Sequence, residues 1–255
     1  MISLFRRIRQ KLIASGSATK YMLYAIGEIL LIVIGIIIAV QIGNWNQTIQ
    51  NKELLRISLE NLREDLVIQK EIIDEQILFE SDMIAMTDTV LMLLQHPAPS
   101  PAEITPILYN LTSRRTFIAN KATFNNLEST GNIVLIQDKE LKNELIRYHQ
   151  QLDYTAAVIT NNNLFLIDNI FGAFVSSNGM GFRSNRDGSI IDDHTITSQQ
   201  HFTITGQVRR RKAASESLLN ISELQLTSTL ELISLINNTL GNRPPTSGTN
   251  THSDD

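Results

Sequence analysis

The sequence predicts a mainly α-helical chain, in which one N-terminal transmembrane helix leads into an extended antiparallel helical bundle. Three observations carry this. Residues Tyr21 to Ile42 form an apolar run with one formal charge. From Asn46 to Gln95 there is no Pro and no Gly, and apolar residues recur in steps of three, four and seven. Two later stretches, about 139–175 and 207–240, repeat apolar residues at helical spacing again.

The first element is a basic leader, residues 1–20. It holds Arg6, Arg7, Arg9, Lys11 and Lys20 and no acid. Ile2, Phe5, Ile8 and Leu12 fall at helical spacing among them. That pattern reads either as a short amphipathic helix lying on an anionic leaflet or as a disordered basic stretch that only sets topology. Ser15-Gly16-Ser17 is a flexible elbow into the membrane.

Residues 21–42 are the transmembrane helix. At about 1.5 Å per residue they span roughly 33 Å, enough for a hydrocarbon core of about 30 Å. Ile29 to Val40 carries no polar side chain, whereas a helix packed in a soluble core keeps a polar face. Five basic residues precede the run, and a balanced set follows it: Lys52, Glu53, Arg56 and Glu60. The positive-inside rule then keeps residues 1–20 in the cytoplasm and exports the remainder. Lys20, Tyr21 and Tyr24 mark one membrane interface and Trp45 the other. The run is long for a cleaved signal peptide and no clean A-x-A site follows, so it reads as a retained anchor. The net charge of −4 therefore combines a +5 leader, the single negative charge of Glu28 and a body of −8 past residue 42.

Glu28 sits inside the run, where a carboxylate is costly. It either reaches the interface and bonds to a neighbour such as Tyr24, or makes a contact between helices. Gly27, Gly35, Ala39 and Gly43 share a four-residue ladder that lets two helices approach closely.

Residues 43–240 form the extracytoplasmic domain. Its first helix covers Asn46 to Gln95, either continuous with the membrane helix or set off from it. Leu55, Leu59, Leu62, Leu66, Ile73, Ile77, Ile84, Leu91 and Leu94 mark its buried stripe, with polar residues such as Gln69 at some core slots. Four of six prolines fall between 97 and 106 and end it. Short helices follow at about 102–113 and 122–130, the second closed by Gly131 in a left-handed conformation. Ile133 to Ile136 reads as a brief extended piece. Asp138 caps the next helix, whose stripe is Leu141, Leu145, Tyr148, Leu152, Ala156 and Ile159. Residues 176–205 read as a long loop with a short hairpin of 189–191 against 202–205. The last helix, from about Gln207, buries Leu219, Leu226, Leu230, Ile233 and Leu240. Residues 241–255 read as a disordered tail.

Two blocks resemble a known family. FRRIRQKL followed by KYMLYAIGEILLIVIGIIIAVQIGNWNQ is similar to the opening of an uncharacterised Bacteroidota family, domain-of-unknown-function family 6090. FNNLESTGNIVLIQDKELKNELIRYH resembles that family's inner motif, carried by Phe124, Leu127, Gly131, Asn132, Asp138, Leu141 and Tyr148. The resemblance implies a single-pass inner-membrane protein with a periplasmic helical domain, and no activity.

Chemical motifs are scarce. The chain has no Cys, which removes disulfides, thiolate metal sites and thiol nucleophiles. Phosphate-loop, dinucleotide, zinc-protease and serine-hydrolase signatures are absent. Asp192, Asp193, His194 and His201 share one stretch with no fixed metal-ligand spacing. Arg209-Arg210-Arg211-Lys212 reads as a solvated helix face rather than a nucleic-acid site. The expected function is non-enzymatic, with no cofactor and no nucleic acid. The partners are the lipid bilayer and either a protein or a second copy of the chain. The rival expectation is a ligand-sensing ectodomain.

Overall fold

The computed structural model describes residues 18–177 and 196–241. Helix α1 runs Ala18–Leu93 without a break. Then come α2, Pro101–Asn110; α3, Ala122–Ser129; a 3-10 turn, Asn132–Leu135; and α4, Lys139–Asn162. A π-helix, Asn163–Gly172, continues α4 into α5, Ala173–Ser177. The last is α6, Ser198–Gly241. The described residues are mainly helical and include no strand. The leader residues Arg6, Arg7, Arg9 and Lys11, the 189–191 half of the expected hairpin, the acidic stretch at 192–194 and the tail past Gly241 lie outside the described residues.

Two compact units divide the chain, residues 1–55 and 56–255. In the first, α1 is apolar all round between Ile29 and Val40, and each of these residues is exposed. Among the described residues it is the one helix long and apolar enough to cross a membrane.

In the second unit, the buried side of α1 is a strict three–four alternation: Leu59, Leu62, Leu66, Gln69, Ile73, Gln76, Glu80, Met83, Thr87 and Val90, carried on to Leu94 just past its end. This is a heptad seam. The expected Ile77, Ile84 and Leu91 are only half-buried; the seam passes beside them, through polar residues. Helix α6 behaves likewise. Its seam is Ile204, Val208, Arg211, Ser215, Leu218, Ser222, Gln225, Thr229, Leu232 and Ile236. Leu219, Leu226, Ile233 and Leu240 flank it half-buried, and Leu230 is exposed. On α4 the expected stripe holds except that Thr155 takes the place of Ala156.

Past Ile159 the buried residues step by four: Asn163, Ile167 and Phe171. In an α-helix of 3.6 residues per turn, successive steps of four drift off the buried face. The wider π turn, with just over four residues per turn, keeps them on it. Phe171, Phe174 and Val175 then join Met83, Val90, Ile104, Leu108, Ile204 and Val208 in one apolar cluster.

Three local readings change. Of residues 133–136 only Ile136 is extended; 133–135 lie in the 3-10 turn, with Val134 N–H donating to Gly131 O and Ile136 N–H to Ile133 O. Phe202–Thr205 is no hairpin strand; α6 starts nine residues before Gln207 and includes it. Helix α1 stops at Leu93, short of the prolines.

The turns obey local rules. Gly131 has φ 72°, the left-handed region, and its N–H donates to Glu128 O at 3.1 Å. Asp138 Oδ1 accepts from Glu140 N at 2.9 Å and Leu141 N at 3.2 Å, capping α4. The cap of α3 comes from another helix: Asp65 Oδ2 on α1 accepts from Thr123 N at 2.8 Å. A Cβ on Gly131 would meet nothing within 4 Å, so Gly131→Ala costs only the backbone strain, about 1 kcal/mol. Asp138→Ala costs about 1 kcal/mol through the lost cap. Urea unfolding of the full chain in detergent, followed by helical circular dichroism, checks both.

Candidate functional site

The residues singled out in the apolar run are exposed on the surface of α1. Gly27, Glu28, Gly35, Ala39 and Gly43 are all exposed, and a Cβ built on any of the three glycines meets nothing within 4 Å. Trp45 is 70% exposed. Lys20, Tyr21 and Tyr24 lie within α1.

The polar chemistry is concentrated inside the second unit. Glu80 on α1 and Arg211 on α6 are each 1% exposed at the side chain, with Arg211 Nη1 3.7 Å from Glu80 Oε2. The Ser215 hydroxyl bridges them. It accepts from Arg211 Nη1 and donates to Glu80 Oε2 at 2.7 Å. Gln76 Nε2 donates to the other carboxylate oxygen at 2.9 Å. Arg211 Nε donates to Leu111 O at 3.0 Å and Nη2 to Ser113 O at 3.4 Å. These two carbonyls follow the end of α2, so the guanidinium ties α2 to α6 and α1. Burial pushes the Glu80 carboxyl above its usual range, against the pull of Ser215 and Arg211. Burial likewise lowers Arg211, and Glu80 pulls it back.

Arg211 corrects the reading of the basic run. Arg209 and Arg210 are exposed, but Arg211 is in the core and Lys212 donates to Asp88 Oδ1 at 2.6 Å. A run of four cations around a helix cannot all share the solvent face, and the heptad seam claims the third.

A second polar group surrounds His149. Its ring stacks on Phe124, centroids 3.8 Å apart and planes 7° apart, and meets Tyr148 edge-on. Nδ1 donates to Leu145 O at 2.8 Å. Burial chiefly, with a contribution from Lys121, lowers its pKa to about 4, against the opposing pull of Leu145 O, Asp153 and Asp65. The family-like inner motif is accounted for here as structure. Phe124, Leu127, Leu141 and Tyr148 are buried, Gly131 and Asp138 make the turn and the cap, and Asn132 opens the 3-10 turn. Tyr148 Oη lies 3.0 Å from Thr229 Oγ1, joining α4 to α6.

Among the described residues no three His, Cys, Asp or Glu side chains group to hold a metal. His201 Nε2 donates to Leu94 O at 2.7 Å. Comparison with protein-family models, curated proteins and solved structures finds no match for the chain. Sequence reasoning missed Gln76, Glu80, Arg211 and His149. Carrying the three–four alternation strictly onward from Leu55 would have found the first two, since it lands on Gln76 and Glu80.

Arg211→Met leaves a buried carboxylate unpaired and destabilises the chain by about 3–5 kcal/mol. Glu80→Leu with Arg211→Met costs less than Arg211→Met alone, because no lone charge stays inside. Urea midpoints of the full chain in detergent test this. For His149 the folded pKa lies below the unfolded one, so its contribution is complete above about pH 6.5 and is lost as pH falls toward 4. His149→Phe should reduce the stability lost between pH 7 and pH 5 by about 2 kcal/mol.

Proposed function

We propose that the chain is a single-pass protein of the cytoplasmic membrane whose helical domain, an extended antiparallel bundle outside the membrane, works by contact with a protein partner or a second copy. One observation carries this reading. The apolar stretch of α1 is exposed on every side, with no part of its most apolar window buried in the chain. Leaving so much apolar surface in water is untenable, so lipid is its natural surrounding. The five bases of the leader support an inward N-terminus. The buried polar groups among the described residues hold helices together, which supports a role through contact. The resemblance to domain-of-unknown-function family 6090 agrees with this topology.

A second reading, a ligand-sensing ectodomain that signals through a partner, draws on α1 being one unbroken helix from Ala18 to Leu93. A partner protein or a homodimer through the Gly27, Gly35, Ala39 and Gly43 ladder serves either reading.

The chain has no cysteine, so single-cysteine labelling is free of background. In intact cells a membrane-impermeant maleimide should label Ala102→Cys and spare Gln10→Cys. Labelling of Gln10→Cys alone would reverse the topology, and release of the chain by alkaline carbonate would remove the anchor.

A further inference from the structure

We infer that His149 is the catch of an acid-released strap: the segment 117–131, which contains α3, lifts from α1 and α4 when the ring takes a second proton. Two fixed points bound the strap. Before it, Arg115 is held through its carbonyl by Asn163 and through its side chain by Glu75. After it come the left-handed turn at Gly131 and the Asp138 cap of α4. Between these points Phe117, Phe124 and Leu127 are buried. Polar ties run to α1, where the Asn120 N–H donates to Gln69 Oε1 at 2.7 Å and the Thr123 N–H to Asp65 Oδ2 at 2.8 Å. Lys121 Nζ ties it to Asp153 Oδ1 on α4 at 2.7 Å. The apolar tie to α4 is the flat stack of Phe124 on His149.

That stack holds a neutral ring. Nδ1 already gives its hydrogen to Leu145 O, so a second proton goes to Nε2 and places a full charge inside the unit. The charged groups facing the ring are Lys121 just ahead of α3, Asp153 on α4 and Asp65 on α1. Tyr148, edge-on, stays un-ionised because burial pushes its hydroxyl up. The face of Phe124 attracts a cationic ring, but weakly against the hydration the ring forgoes. The balance is a closed-state pKa of about 4 against 6.5 for a ring in water. The lifted form therefore gains about twentyfold over the closed form between pH 7 and pH 5. At Glu80 the sign is opposite. Its carboxyl is raised by burial, so the folded state takes up that proton the more readily, and acid does not loosen α1 from α6 through it. The strap opens ahead of the seam, as a local unit, and uncovers Phe117, Phe124 and Leu127 together.

Amide hydrogen exchange of the full chain in detergent, at pH 7 and pH 5 and corrected for the intrinsic pH dependence of exchange, provides the test. Peptides covering 117–131 should lose protection about twentyfold at pH 5, while those covering 211–232 on α6 keep theirs. His149→Phe keeps an aromatic face without a titrating proton and should remove the pH dependence of the strap. Equal protection of 117–131 at both pH values overturns the inference. So does a loss shared by the strap and α6, or a strap that still opens in His149→Phe. Should that variant fail to fold, His149→Gln makes the same comparison.

Discussion

The second unit depends on a charge that cannot be buried alone. Arg211 sits on a core position of α6, and taking a lone guanidinium out of water costs far more than any one apolar contact returns. It is tolerated because Glu80, Ser215 and the carbonyls of Leu111 and Ser113 converge on it. Glu80 comes from α1, the two carbonyls from the end of α2 and Ser215 from α6 itself, so one side chain settles where α1, α6 and the end of α2 meet. Such a pair adds little net stability over well-packed apolar residues. What it supplies is selectivity, because a slip of α6 along α1 would strand both ions.

The same logic extends along the seam. Asp65 on α1 caps α3 and Tyr148 on α4 reaches Thr229 on α6. The segment between α2 and α3 is held by ion pairs from Arg114 to Asp168, Arg115 to Glu75 and Lys121 to Asp153. Asn163 Nδ2 donates to Arg115 O at 2.8 Å, tying the start of the π-helix to that segment. Polar side chains specify the partners, and the apolar cluster of α1, α2, α5 and α6 supplies the burial.

Helix existence was legible in the sequence; helix orientation was less so. Long runs of helical apolar period announce α1, α4 and α6, and Gly131 and Asp138 announce their turn and cap. The buried face was misjudged wherever polar residues occupy it. Ile77, Ile84 and Leu91 outweigh Gln76, Glu80 and Thr87 on any hydrophobic count, yet the latter are inside. Burial of a polar group depends on a partner far along the chain, and no local window contains that partner. The π-helix was hidden for a related reason: steps of four over twelve residues look like an ordinary amphipathic face until the geometry is drawn.

That wide-turn stretch has a consequence for how the chain tolerates change in length. From Ile159 to Phe171 it uses one or two residues more than a heptad would need to travel the same face. Elsewhere in α4 a deletion swings everything downstream onto the wrong side. Between Asn163 and Gly172 a deletion can instead be absorbed by tightening the coil, returning Phe174 and Val175 to their places among the neighbouring helices. The slack makes this the segment where the lineage can shorten its backbone without unseating the core.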